Sequence, residues 1–257
     1  MTRAALPIAA AVAHALLAGV VLAQPDEAAR AAFAEGRFTE AAALAEALGT
    51  SNGHALAARS LSIHSHHLAA DGEKPALFER AAGLAREAIR LDPVNPEAHL
   101  QLAHALGRHG QLLGVLQAAA EGYGEKVRDA IKEALRLDPD MAGAHLALAT
   151  WHAEAASTGG FMARMLYGAT GKDAIRHYEK AVELAPGNKV ALAEYAFGLL
   201  LLNRDRNRER ARDLLTRAIG LPPADAYDRL VHGQAVEWLA DLDRPAPRQP
   251  DTGAPDR

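Results

Sequence analysis

Apolar residues recur at every third or fourth position along most of this chain, which is the spacing of an amphipathic helix. Several of these stretches stop at a proline, and the one before Pro93 carries Phe78, Ala81, Ala85 and Ala88 on one face. The stretches before Pro186 and Pro223 have similar spacing. Because proline cannot continue the hydrogen-bond ladder of a helix, each stretch is predicted to be a helix that ends there. The pattern predicts an all-α protein.

The helix endings repeat one another. Ala-Ile-Arg-Leu-Asp-Pro (88–93) returns as Ala-Leu-Arg-Leu-Asp-Pro (134–139), as Ala-Val-Glu-Leu-Ala-Pro (181–186) and more loosely at 218–223. These units resemble the tetratricopeptide repeat, a pair of crossing helices with a small residue at its eighth position. Here that position is taken by Ala103, Ala149, Ala196 and Gly233. The resemblance implies a tetratricopeptide-type helical-hairpin solenoid of four or five pairs and a capping helix over residues 24–242.

Two units are longer than the standard repeat. Pro93, Pro139 and Pro186 are spaced by 46 and 47 residues, against about 34 for the tetratricopeptide repeat. The surplus forms two inserts between the paired helices, at 111–122 and 158–170, both apolar and bounded by glycines. Because a solvent-exposed loop would be polar, we expect both inserts to be buried. The second is expected to form a short helix and an insert pocket from Phe161, Met162, Met165, Leu166 and Tyr167.

The placement of these inserts sharpens the resemblance. Together with Trp151-His152, Phe161 to Gly168 and His177 to Ala181, it is similar to the regulator of microtubule dynamics family over about residues 72–203. That resemblance implies a helical-repeat protein associated with membranes and cytoskeletal partners. The chain differs from those proteins in its N-terminus, which indicates an exported bacterial relative. A microtubule partner is therefore not expected, whereas an apolar groove or a membrane-linked role is.

The first 23 residues have the pattern of a secretory signal peptide. Arg3 is followed by an apolar stretch over 6–22 and by Val21-Leu22-Ala23, a suitable cleavage site after Ala23. The alternative is an uncleaved membrane anchor, which Pro7 and His14 disfavour. We therefore expect a periplasmic or secreted protein. Residues 243–257 are polar and rich in proline, which predicts a disordered tail.

Composition excludes several kinds of chemistry. The chain has no cysteine, so it forms no disulfide and uses no thiol. Its net charge of −4 and the lack of a long basic stripe argue against a nucleic-acid partner. No nucleophile elbow, phosphate-binding loop or zinc-protease motif occurs, so we expect neither catalysis nor a cofactor. Among the 12 histidines only His64, His66 and His67 cluster, and adjacent helix positions point apart, which favours surface or packing roles over a metal site.

The concave face of such a solenoid is lined by the first helix of each pair. Repeat positions on that face predict a binding groove formed by Leu100, His104, Arg108, Leu146, Thr150, Glu154, Phe197, Leu200 and Leu201. The terminal helix, about 225–242, could instead cover the last three. The predicted function is a scaffold that binds a protein or peptide in this groove. The alternative is a carrier or sensor of an apolar small molecule or lipid, held in a pocket that the inserts close.

Overall fold

The computed structural model describes residues 25–244, apart from the side chains of residues 25 and 160–163. Every regular element in this range is a helix, which confirms the all-α prediction: α1 (Pro25–Glu35), α2 (Phe38–Glu46), α3 (Ser51–His67), α4 (Lys74–Leu91), α5 (Pro96–Leu113), α6 (Val115–Ala120), α7 (Tyr123–Leu137), α8 (Ala142–Tyr167), α9 (Gly171–Leu184), α10 (Lys189–Gly220) and α11 (Ala226–Asp243). None of these helices is long and apolar enough to cross a bilayer. The predicted signal peptide and nearly all of the predicted tail lie outside the described residues.

The helices pair along the chain as antiparallel hairpins. The pairs are α1–α2, α3–α4, α5–α7 and α8–α9, and the two halves of α10 form the fifth, because its backbone breaks at Asn203 (φ −167°, ψ 102°). Asn203 Oδ1 accepts from the backbone N–H of Arg206 at 3.0 Å and so caps the second half. Within residues 25–244 the array therefore holds five hairpins, and α11 follows as a single capping helix.

Short polar side chains fix where the helices begin. Thr50, Asn95, Thr170, Asn188 and Asp225 each accept a hydrogen bond from the first turn of the helix that follows. Asn95 also donates from Nδ2 to Ser51 Oγ at 2.8 Å, and Ser51 Oγ donates to the carbonyl of Ala88 at 2.8 Å. This chain of bonds joins the starts of α3 and α5 to the end of α4, so it sets the stacking of neighbouring hairpins.

Two histidines repeat one structural contact in consecutive units. His99 Nε2 lies 2.9 Å from the carbonyl of Pro93, and His145 Nε2 lies 3.0 Å from the carbonyl of Pro139. Each imidazole therefore closes the loop that joins one hairpin to the next. His145 also stacks on His177, with Nδ1 atoms 3.0 Å apart. His99 and His145 are thus structural residues that hold neighbouring elements together.

Small residues stand where paired helices cross, with one exception. Ala103, Ala149 and Ala196 are buried at the crossings of α5, α8 and α10 with their partners. Gly233 in α11 is exposed, and a Cβ added there would meet nothing within 4 Å. The expected need for a small residue fails at this position because α11 has no second helix to cross.

The inserts differ from their prediction. The second insert extends α8 into one helix of 26 residues, so it does not form a separate short helix. The first begins with the end of α5 and forms the six-residue α6, which lies between Gly114 and Gly122, both with positive φ. Leu116 is 88% exposed, and Leu112 and Val115 are also exposed. The expected burial is therefore wrong for the first insert, because α6 is too short to cover its own apolar side chains.

The two ends of the array meet. Ala226 and Tyr227 of α11 pack with Phe33, Phe38 and Ile63 in a core shared with the first hairpin and α3. Arg229 Nη2 donates to the carbonyl of Ala34 at 3.4 Å. A Cβ on Gly36 would lie 2.9 Å from Ala226 Cβ, so this approach requires glycine, which also adopts φ +94° here. The solenoid is thus closed into a ring.

Candidate ligand-binding cavity

A cavity of about 680 Å³ occupies the middle of the ring. Its walls come from α3, α5, α6, α7, α8, α10 and α11, so nearly every hairpin contributes its inner helix. The apolar part of the wall consists of side chains that also belong to the core between hairpins: Leu100, Val127, Ile131, Leu146, Trp151 and Val190. The array therefore holds the cavity open by the packing that stabilises the fold.

Six of the nine predicted groove residues lie together on this wall. Their positions follow from helix periodicity, because residues four apart on α5 and α8 face the same side. They are Leu100, His104 and Arg108 of α5 and Leu146, Thr150 and Glu154 of α8. Thr150 Oγ1 is also 3.1 Å from the hydroxyl of Tyr178, which ties the cavity wall to the core behind it.

The other three predicted groove residues do not line the cavity. The ring of Phe197 stacks on Trp238 of α11 at 4.9 Å, and Leu200 packs in the core that α10 shares with α11. Leu201 is partly exposed. The groove prediction is wrong for these residues, and the alternative drawn from the sequence holds instead for Phe197 and Leu200, because α11 covers the inner face of the last hairpin. Val190 and Glu194 of α10, with Tyr227 and Gln234 of α11, supply this part of the wall instead.

The predicted insert pocket is not formed as expected. Met165 and Leu166 are 60% and 61% exposed, and neither lines the cavity, because the insert continues α8 outward instead of folding back. Tyr167 does line it, with its ring edge-on to Trp151 at 6.3 Å. The side chains of Phe161 and Met162 lie outside the described residues, so their part in the pocket stays a prediction.

Arg108 is the central cation of the cavity. Its Nη1 donates to Gln111 Oε1 at 3.2 Å, and Gln111 Nε2 donates in turn to Glu154 Oε1 at 2.8 Å. Among the described side chains no carboxylate lies within 4.0 Å of the guanidinium, so it forms no ion pair there. A guanidinium carries five N–H donors, and among the described residues only Gln111 accepts from the Arg108 guanidinium, so most of its donors have no partner there.

Burial shifts the pKa values of several ionisable groups around Arg108. Reinforced by the charge of Arg108, it lowers the pKa of His66 to about 3 and that of His67 to about 4. Burial also raises the pKa values of Glu154 and Glu194, although Arg108 opposes both shifts. The imidazoles of His66 and His67 are therefore neutral at pH 7, and they add no positive charge to that of Arg108.

These imidazoles make stability depend on pH. Because the folded-state pKa values of His66 and His67 lie below the ordinary 6.5, the unfolded chain takes up protons first as the pH falls. Their contribution is complete above about pH 6.5 and is lost progressively towards pH 4. We expect the urea midpoint to fall between pH 7 and pH 4, and to fall less in a His66→Gln, His67→Gln variant. An equal fall in both proteins would assign the effect to other groups.

A second group of histidines lies outside the cavity. His177 of α9 stacks between His145 and His152 of α8, with ring centroids 5.2 and 6.0 Å away. Burial and the neighbouring His145 lower the pKa of His177 to about 4. Within the described part of the chain, no group of three or more His, Asp or Glu side chains is arranged to hold a metal ion. The stack is accordingly an interhelical contact.

Comparison with protein-family models assigns the chain to a family. The model of the family described as Regulator of microtubule dynamics protein 1-3 matches residues 41–243, which is most of the sequence. The chain belongs to this family. The match spans every described helix except α1 and the first residues of α2, and it includes both inserts. A search of the curated proteins found no match.

A solved structure of a tetratricopeptide-repeat protein has the same fold. The crystal structure of a thermophilic TPR protein in Thermus thermophilus superposes with a TM-score of 0.58 at 18% identity, covering 83% of this chain and 97% of that one. The human IFIT1 dimer with PPP-AAAA gives a TM-score of 0.46 at 18% identity, over 84% of this chain and 55% of that one. The tetratricopeptide-type architecture inferred from the repeats is confirmed by the Thermus thermophilus structure, so this family member is a helical-repeat protein.

Several cavity residues could not be found from the sequence. Tyr227 and Glu194 enter the site only because the ring closes and α11 turns inward, which no local pattern records. The sequence marks His66 and His67 only as part of a histidine cluster, although they line the wall opposite α8. Arg108 is located from its position within a repeat unit. The first hairpins match the repeat consensus too poorly for the residues of α3 to be assigned such positions.

Proposed function

We propose that this protein is an exported, non-catalytic binding module that encloses a small amphipathic molecule in its ring cavity. The observation that carries the proposal is the closure of the ring between α11 and the first hairpin. An open concave groove suits an extended peptide, whereas a closed ring surrounds a small ligand with walls around its circumference. The proposal therefore favours the small-molecule alternative over a peptide in the groove.

The dimensions and chemistry of the cavity support this proposal. A volume of about 680 Å³ falls within the range of about 300–1,000 Å³ that is usual for small-molecule sites. Such sites combine apolar walls with a few polar groups that fix orientation. Here Leu100, Ile131 and Val190 provide apolar wall, and Arg108 and Glu154 provide polar groups near its centre. No pair of these groups matches a known catalytic arrangement, which supports a binding role.

Export is the part of the proposal that rests on sequence alone. The apolar stretch 6–22 and the cleavage site after Ala23 support it. Fractionation of cells that produce the tagged protein tests it, and recovery of uncleaved protein in the cytoplasm would contradict it.

A partner protein remains a second candidate, and a specific surface favours it. Leu116 of α6 is exposed on one insert, and Met165 and Leu166 are exposed on the other. Exposed apolar side chains of this size on a soluble domain often mark a contact surface. A pull-down with the wild type and with a Leu116→Ser, Leu166→Ser variant tests this candidate: a partner lost only in the variant supports it.

Filling the cavity is expected to abolish ligand binding. In a Leu146→Trp variant the indole would occupy part of the cavity, so a bound molecule should be displaced. Native mass spectrometry of the purified protein should show an added mass in the wild type and none in this variant. Leu201→Trp is the matched control, since Leu201 lies away from the cavity and should leave the added mass unchanged. A wild type with no added mass, in protein from its natural host, would contradict the proposal.

A further inference from the structure

The cavity holds a cation whose usual partner is missing. Arg108 lies half-buried in the cavity wall, where Gln111 satisfies one of its donors and Glu154 is held by Gln111. A guanidinium that is partly removed from water is stable when an anion accepts from its fork. Gln111 lies between Arg108 and Glu154. The Glu154 carboxylate could pair with the guanidinium, but it accepts from the side-chain amide of Gln111 instead.

Two further observations place neutral hydrogen-bond donors near that guanidinium. Partial burial keeps the imidazoles of His66 and His67 uncharged because it lowers their pKa values, so they add N–H donors without adding positive charge. Burial raises the pKa of Tyr227 to about 12, so its phenol keeps its proton and can also donate. The cavity thus provides one central positive charge surrounded by neutral donors, with apolar wall beyond them.

We infer that Arg108 binds the carboxylate of a small-molecule ligand whose apolar body lies against Leu100, Leu146 and Val190. This inference rests on the proposed function and names its ligand class: a monocarboxylate with an apolar body. The planar guanidinium fork matches a planar carboxylate with two parallel hydrogen bonds. The hydroxyl of Tyr227 and the imidazole of His104 face the same space.

The charged side chains around the cavity favour a ligand with a single negative charge. Glu97, Glu154 and Glu194 line the same cavity, and Arg59 is the only other arginine among its described lining residues. Arg59 lies over the ring of Phe33 at 4.9 Å, towards the ring closure. A dianion such as a phosphate monoester would add two negative charges to a space that already holds three carboxyl groups. A single carboxylate is matched by Arg108 alone.

Calorimetric titration with four probes that share one alkyl chain tests the inference. Decanoate, decanol, decyl phosphate and decylamine are titrated into the purified protein at pH 7.5. We expect decanoate to bind about ten- to a hundredfold more tightly than decanol, the range of a charge-assisted pair of hydrogen bonds. In Arg108→Leu this preference should disappear while the affinity for decanol stays within about twofold. Arg108→Lys should keep part of the preference, since it keeps the charge and loses the fork.

The results of these titrations distinguish a failure of the carboxylate inference from a failure of the proposed function. Equal affinity for decanoate and decanol in the wild type, or an equal loss of both in Arg108→Leu, would overturn the carboxylate and leave an apolar cavity. Tighter binding of decyl phosphate would overturn the single-charge argument, and tighter binding of decylamine would assign recognition to the glutamates. Binding of none of the four probes would overturn both the inference and the proposed function. Thermal unfolding of each variant identifies any that fails to fold.

The dependence of affinity on pH provides a second readout. A carboxylate placed near Glu154 and Glu194 raises their pKa values further, so binding takes up protons. The affinity for decanoate should therefore rise as the pH falls from 8 to 6, whereas that for decanol should change little. The charged or titratable groups that line this space are Arg59, His66 and His67 on α3, Glu97, His104 and Arg108 on α5, Tyr123 on α7, Glu154 and Tyr167 on α8, Glu194 on α10 and Tyr227 on α11. The opposite slope would overturn the inference.

Discussion

A Gly198→Ala substitution is expected to lower the free energy of unfolding by about 1–2 kcal/mol, although alanine is the better helix former. A Cβ on Gly198 would lie 2.5 Å from two carbons of the Tyr178 ring, closer than atoms pack. That ring cannot retreat, because it is only 1% exposed, stacks on Tyr195 at 4.9 Å and bonds to Thr150 through its hydroxyl. The energetic cost of packing a methyl group against this fixed ring should exceed the gain of about 1 kcal/mol in helix propensity.

The matched control is Gly83→Ala in α4. Gly83 is also inside a helix, but it is exposed and a Cβ there would meet nothing within 4 Å. Only the helix propensity changes, so this variant should gain up to about 1 kcal/mol. Urea unfolding of both variants measures the difference. If Gly198→Ala were neutral or stabilising, the close packing of α9 against α10 would be contradicted.

A Lys189→Met substitution is expected to cost about 3 kcal/mol of stability. Lys189 is 1% exposed, and its ammonium donates to the carbonyls of Ala218 and Leu221 at 2.6 Å and to His232 Nδ1 at 3.1 Å. These carbonyls lie at the C-terminal end of α10, where Ala218 also accepts from the backbone N–H of Leu221 at 3.3 Å and the carbonyl of Leu221 lies beyond the last helical residue. Methionine keeps most of the side-chain volume and removes the donor, so buried acceptors are left unsatisfied at about 1–3 kcal/mol each.

Lys180→Met on α9 is the control for this substitution. Lys180 carries the same charge, but its ammonium is partly exposed and contacts only Glu183 at 3.2 Å. An exposed pair of this kind contributes under about 1 kcal/mol. Thermal and urea unfolding of the two variants should therefore differ clearly. Equal small effects would mean that the end of α10 is satisfied by water instead of by Lys189.

The features that the sequence predicted are those that depend on neighbours along the chain. The prolines at 93, 139 and 186 end helices wherever they occur, and caps such as Asn95 act on the next two or three residues. The register within each unit then places Arg108 and Glu154 on the inner face, because helix geometry repeats about every 3.6 residues. Local rules of this kind were sufficient for the repeats and for two thirds of the predicted groove.

The remaining features depend on contacts between distant residues. Ring closure follows from the small rotation between successive hairpins, summed over the array, and no residue pattern encodes that sum. The misplacement of Phe197 and Leu200 follows from it, since α11 turns inward and covers them. The prediction for the insert that carries Met165 failed for a different reason. Its apolar character predicted burial, whereas the helix simply continues into solvent.

The closed ring also affects how the chain folds. In an open solenoid each repeat contacts only its neighbours, so the terminal repeats fray and unfolding can proceed one unit at a time. Here Arg229 bonds to Ala34 across 195 residues, so neither end is free. Contacts of such long separation carry a large loop-closure entropy and form late in folding. The seam between α11 and the first hairpin therefore links all five hairpins into one cooperative unit, which assembles only when its last helix arrives.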